Sequence, residues 1–253
     1  MKNIAVQVNN LSIGYGKKTV LKDLNFSIEA GEIFIIMGGS GCGKSSLLKN
    51  IIGLYKPQNG DVLINGSSIV KASLKEKKKL MRNFGVTYQD GALFSTLTLG
   101  ENILLLLDEY TKLTKQEKEK ISMEKLDLVG LSDFSHYMPH EISGGMRKRA
   151  GLARAMALDP KLLFFDEPSA GLDPISSAEL DRLILNLGKQ TGSTIVIVTH
   201  ELDSIFAIGD NVIVLDKETK GIVASGNPYD LKEQCKNEWV KRFLDRDGLT
   251  RKI

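Results

Sequence analysis

Residues 38–45 read Gly38-Gly39-Ser40-Gly41-Cys42-Gly43-Lys44-Ser45, after an apolar run, Ile33-Phe34-Ile35-Ile36-Met37, and before a helical pattern from Ser46 to Ile52. Glycines at this spacing, closed by Lys-Ser, predict a phosphate-binding loop between a strand and a helix. Glycine lets consecutive backbone N–H groups turn inward around phosphate oxygens. The helix that follows aims the positive end of its dipole at the same anion. In such a loop Lys44 reaches the β- and γ-phosphates of a nucleotide, and the Ser45 hydroxyl is placed to ligate Mg2+. The strand–loop–helix context points to an α/β fold.

The rest of the chain agrees. Residues 4–8 and 24–28 alternate like half-buried strands, and 33–37 is apolar throughout, as a strand buried on both faces should be. Short strands are expected at 61–66 and 84–88, with a basic helical stretch over 71–82 whose lysines form a solvated face. From about 91 to 156 strand signals give way to helical ones. Apolar runs return at Leu162–Phe165 and Ile195–Val198, flanking a helical segment over 175–189, which makes a β-α-β crossover onto a parallel sheet. A hairpin is expected from 212–215 and 221–224. Trp239, Val240, Phe243 and Leu244 make one stripe at helical spacing, able to pack on their own core or on a neighbouring chain. The expected organisation is a core of 1–90 with 157–230, a helical segment of 91–156 and a tail of 231–253.

Composition narrows the function. A net charge of +3, with interspersed signs, gives no basic field for nucleic acid. Two cysteines, Cys42 and Cys235, cannot build a disulfide framework, which suits a reducing compartment. No leader is expected at the start, and no pure apolar run is longer than that from Ile103 to Leu107, too short to span a bilayer. Any membrane role is then expected through a partner.

A second cluster completes the first. Leu162-Leu163-Phe164-Phe165 ends in Asp166-Glu167. Open α/β sheets bind ligands at the carboxyl ends of their strands. There Asp166 can hold Mg2+ and Glu167 can polarise an attacking water as general base. Between these two clusters lies Ile142-Ser143-Gly144-Gly145-Met146, at the start of a helix, which forms a second anion cradle.

These residues together resemble the ATP-binding-cassette (ABC) ATPase family, whose signature is usually LSGGQ; here Ile and Met stand at its ends. The resemblance covers roughly residues 3 to 230. It implies a P-loop NTPase cassette with a RecA-like parallel-sheet core, an antiparallel β-subdomain and a helical subdomain. It also implies ATP and Mg2+ as cofactors. It further implies a homodimer in which the loop of one protomer, Gly38 to Ser46, faces Ser143, Gly144 and Gly145 of the other. By the same likeness Tyr15 stacks on adenine, Gln89 contacts Mg2+ and water, Asp173 in Ser169-Ala170-Gly171-Leu172-Asp173 reaches the opposite protomer, and His200 contacts the γ-phosphate. His136 and His140 are expected in surface turns, and Cys42 as a spacer in the loop.

Within the family, Tyr88 to Thr98 and Gly144 to Ala155 are similar to the MlaF-type ATPases of phospholipid transporters. That likeness implies work at the cytoplasmic face of the bacterial inner membrane. It implies an integral-membrane permease of the MlaE kind, an MCE-domain protein of the MlaD kind and a small STAS-domain protein as partners. Leu93, Phe94, Leu97 and Leu99 are then divided between subdomain core and a groove for the permease. The alternatives are an importer ATPase for amino acids or another small polar solute, and a soluble mechanoenzyme on ribosomes or DNA.

Overall fold

The computed structural model describes residues 3–245. Two compact units divide the chain: the residues up to Ser73 together with those from Val196 onward, and Leu74–Ile195.

The first unit opens with β1 (Ile4–Tyr15) and β2 (Lys18–Glu29), an antiparallel pair. Both are longer than the alternation at 4–8 and 24–28 suggests. Register shifts on either side of Leu11, with Asn10 at φ 47°, break the period of two that a sequence reading follows. The chain then enters β3 (Ile33–Gly38), buried at every position, and α1 (Lys44–Ile51). It goes on to β4 (Asn59–Ile64) and the two-residue β5 (Ser67–Ser68), which complete an antiparallel sheet in the order β2-β1-β4-β5.

The second unit begins with α2 (Leu74–Met81), a lysine-rich helix with no buried residue, as a solvated face requires. β6 (Phe84–Thr87) follows, then α3 (Leu99–Tyr110), α4 (Lys115–Leu128) and α5 (Gly144–Ala155). Thr98 with Glu101, and Thr114 with Glu117, close capping boxes that start α3 and α4. Ile103, Leu107, Leu126 and Leu152 fill the helical core. β7 (Leu162–Asp166), α6 (Pro174–Thr191) and β8 (Thr194–Val198) form the crossover. β6 pairs with β7 in parallel, in the order β8-β7-β6.

β8 runs across the division into the first unit, where the order is β10-β9-β3-β8. There α7 (Leu202–Ile208) is followed by β9 (Asn211–Asp216), parallel to β3, and β10 (Gly221–Gly226), its antiparallel hairpin partner. α8 (Pro228–Gln234) and α9 (Glu238–Asp245) end the described chain. The expected tail therefore lies outside the described residues from 246 onward. The fold is the α/β class anticipated, with parallel and antiparallel sheets and a helical segment.

Candidate nucleotide site

In the first unit β3 delivers the loop. Gly38 has φ 152°, and a methyl group there would lie 2.4 Å from Leu215 O and 2.8 Å from Cys42 Sγ. Gly43 has φ 107°, and a methyl group there would lie 2.8 Å from Val20 Cγ1. Both positions therefore need glycine for space and for backbone conformation. Gly43 is also the N-cap of α1 and supplies no side-chain hydrogen bond to it, leaving that job to a ligand. Lys44 is 8% exposed, and its Nζ donates to Gly38 O at 3.0 Å and Gly39 O at 3.4 Å. The ammonium is thus held over the loop. Gly39, Ser40 and Gly41 form its outer turn, and Ser45 and Ser46 open the helix.

Tyr15 Oη lies 2.9 Å from Ser46 Oγ, and its ring meets Tyr55 edge-on at 6.2 Å. The ring is 56% exposed beside α1, where a base could stack on it. Cys42 is buried, and burial pushes its thiol above the ordinary value of 9.0, against the opposing charge of Lys44. A thiol held protonated is no nucleophile, so Cys42 is a spacer. His200 follows β8, whose next residue, Thr199, donates its N–H to Ile36 O of β3 at 3.2 Å. It therefore emerges beside the strand that carries the loop.

In the second unit Gln89 and Asp166 stand at the carboxyl ends of paired strands: Thr87 is opposite Phe165 in the β6–β7 register. Gln89 is exposed, whereas Asp166 is 7% exposed. Glu167 turns the chain with φ 50°, a left-handed conformation that a non-glycine residue adopts at a cost. Lys148 Nζ donates to Glu167 O at 3.4 Å, tying α5 to this turn.

Ser143 caps α5, its Oγ accepting from Met146 N at 3.2 Å. Ser143, Gly144 and Gly145 line a concavity of about 300 Å³ together with Gly171 and Asp173. Asp173 caps α6. Its Oδ1 accepts from Ile175 N and Ser176 N at 3.0 Å, and its Oδ2 from Ser176 Oγ at 2.6 Å. The Ser176 hydroxyl holds this carboxyl below its usual range. Asp173 thus has a local role that sequence reasoning did not assign. His136 lies in an exposed turn and His140 in the short 3-10 helix Pro139–Glu141, both at the surface as expected.

The segment after Gln89 is held from within. Asn102, fully buried on α3, accepts from Phe94 N at 2.7 Å and donates to the carbonyls of Phe94, Leu97 and Thr98. Leu99 is core; Phe94 is 48% exposed, with the Arg154 guanidinium 5.3 Å from its ring centre. Gly91 sits directly on α5: a methyl group at Gly151 would lie 2.5 Å from Gly91 O. Sequence reasoning missed Asn102 and Gly151. A glycine inside a helical pattern, and an asparagine at the head of an apolar run, were the available signals.

Among the described residues no group of three or more His, Cys, Asp or Glu could hold a metal by itself. The expected Mg2+ donors, the Ser45 hydroxyl, the Gln89 side-chain amide oxygen and the buried Asp166 carboxylate, are a hard-oxygen set. That suits a cation that takes its other oxygens from water and phosphates.

Residues 21–170 match the ABC transporter family. The chain is 44% identical to the probable ribonucleotide transport ATP-binding protein mkl of Mycobacterium tuberculosis, covering 96% of this chain and 67% of that one. It is 35% identical to the intermembrane phospholipid transport system ATP-binding protein MlaF of Haemophilus influenzae, covering 99% and 95%. It is 34% identical to the glycine betaine/carnitine transport ATP-binding protein GbuA of Listeria monocytogenes, covering 93% and 61%. Its backbone superposes with a TM-score of 0.79 on the dimeric post-hydrolysis cassette MJ0796 bound to ADP and Pi, at 30% identity over 88% of this chain and 98% of that one. With the family matched over more than half its length, this chain belongs to the ABC transporters and is one of their ATPases.

Proposed function

We propose that the chain powers phospholipid transport between membranes by hydrolysing ATP for a partner permease. The observation that carries this reading is the MlaF likeness over 99% of the chain, end to end with the relative. Supporting it is Phe94, half-exposed just after Gln89 on a segment pinned by Asn102, an apolar seat for a permease helix. The roles follow from chemistry. Lys44 and the amides of 38–46 bind the phosphates; Tyr15 stacks on the base. Glu167 takes a proton from the attacking water, and His200 and Gln89 orient the γ-phosphate and that water. Ser45, Asp166 and Gln89 would hold Mg2+, which would supply positive charge against the phosphate oxygens.

Residues 91–156 are the helical segment that the permease moves against, and two copies enclose ATP between loop and signature. Partners on this reading are a second copy, an MlaE-like permease, an MlaD-like MCE protein and a small STAS-domain protein, at the cytoplasmic face of the inner membrane. Among the described residues no helix is long and apolar enough to cross a membrane, so attachment runs through the permease.

A second reading, an importer ATPase for a small polar solute, is favoured by the GbuA likeness at nearly equal identity. Purification of the tagged chain from membranes, with mass spectrometry of proteins and lipids, separates them. A permease with an MCE protein and bound phospholipid is expected; a permease with a solute-binding protein would establish the importer instead.

A further inference from the structure

The amphipathic α9 lies on the strands behind the phosphate loop. Val240 and Leu244 are buried with Ile35 and Met37 of β3, Val212 and Val214 of β9 and Ile205 of α7. The Asn237 side chain fixes the helix start, its Oδ1 accepting from Trp239 N at 3.0 Å and Val240 N at 3.2 Å. Trp239 is thereby turned away from that core and toward the loop. A methyl group on Gly39 would lie 3.7 Å from Trp239 Cζ2, ordinary van der Waals contact. Phe243, one turn on, holds the indole with ring centres 5.4 Å apart and planes 32° from parallel. At 39% exposed, Trp239 is not core filling.

A loop of this glycine content loses much backbone freedom when it closes on phosphate. A flat, rigid ring standing about a methyl group's breadth outside its outer turn limits how far that turn can swing, which removes part of that freedom beforehand, and pre-organisation of this kind strengthens binding. We propose that Trp239 is a positioning residue for ATP: through Gly39 it holds the phosphate loop near its binding conformation, making the C-terminal helix part of the nucleotide site. This rests on the assignment of 38–46 as the ATP loop.

The test uses the full chain and three variants, Trp239→Ala, Trp239→Phe and Lys44→Ala, with calorimetric ATP binding and steady-state kinetics. Trp239 is the chain's single tryptophan, so its emission reports changes beside the loop without labelling. The unaltered protein is expected to change emission saturably with ATP at the calorimetric Kd. Trp239→Ala should raise Kd and KM about tenfold with kcat within about twofold, and Trp239→Phe should restore both constants to within about twofold. Unchanged ATP affinity in Trp239→Ala, emission indifferent to ATP, or a fall in kcat that phenylalanine does not rescue would each overturn the proposal. Lys44→Ala separates the two levels. If it too binds ATP normally, the loop assignment fails; if it loses ATP while Trp239→Ala keeps it, only the role of Trp239 fails.

Discussion

Glu167 combines a carboxylate at a strand end with a left-handed backbone at φ 50°, a conformation costing on the order of 1 kcal/mol. Glutamine has nearly the same shape and volume, so Glu167→Gln keeps the side chain's size and removes the negative charge and with it the proton acceptor. ATP affinity should stay within about threefold while turnover falls at least about 100-fold. Steady hydrolysis at the unaltered rate would remove Glu167 from the base role. Cys42 makes the opposite point, a reactive residue type disarmed by its surroundings. Its pKa is raised, first by burial, so the thiolate that alkylates becomes abundant only above the ordinary value of 9.0. Peptide-level mass spectrometry after iodoacetamide should find Cys235 labelled and Cys42 spared at about pH 7, with Cys42 labelling climbing only in strong alkali. Preferential labelling of Cys42 near neutrality would contradict this. At this scale the placement of Lys44 at the start of α1 and of Asp166 at the end of β7 was legible, because apolar runs and glycine spacing mark the strand ends. The φ of Glu167 and the capping of Asp173 were not, since both depend on how the chain turns after β7.

Among the elements, α5 shows how a neighbour reverses a local preference. In an exposed helix, glycine to alanine gains about 1 kcal/mol. At Gly151 the new methyl would meet Gly91 O at 2.5 Å and Gly91 Cα at 2.8 Å, backbone that no rotamer change can move. Gly151→Ala should therefore lower stability by about 1–2 kcal/mol net, read as a lower denaturant midpoint at unchanged slope. A higher midpoint would show that the segment after Gln89 gives way freely. The elements themselves were unevenly legible. β3, β7 and β8 are buried at every position and carry apolar runs of four or five residues, and such runs declare buried parallel strands. The outer halves of β1 and β2 were hidden because bulges disrupt their alternation. The seven-residue α7 and α8 are too short to show a period. The stripe of α9 was visible, but which surface it covers depended on β3 and β9.

For the whole molecule the reading turns on two candidate anion cradles in different compact units, the loop at 38–46 and the capped turn at 143–145. A single copy gives each cradle an exposed face; pairing two copies head to tail would give each ATP both. Gly145 makes this testable without unfolding the protein. A methyl group there would lie 3.8 Å from Leu172 Cδ2, an ordinary contact with the end of a flexible side chain, so the first carbon of a side chain fits without displacing backbone. Aspartate at that position sets a negative charge where a partner's γ-phosphate would sit, and like charges so juxtaposed cost several kcal/mol. Glu167→Gln with ATP should elute as a dimer in size-exclusion chromatography with light scattering, and as a monomer with ADP. Adding Gly145→Asp should abolish the dimer while leaving the monomer's ATP affinity within about threefold, because the phosphate loop is untouched. A dimer that survives Gly145→Asp would show that the turn does not face a nucleotide across the interface. Loss of ATP affinity in the monomer would instead place the turn at the chain's own nucleotide, and either result would dismantle the two-copy site.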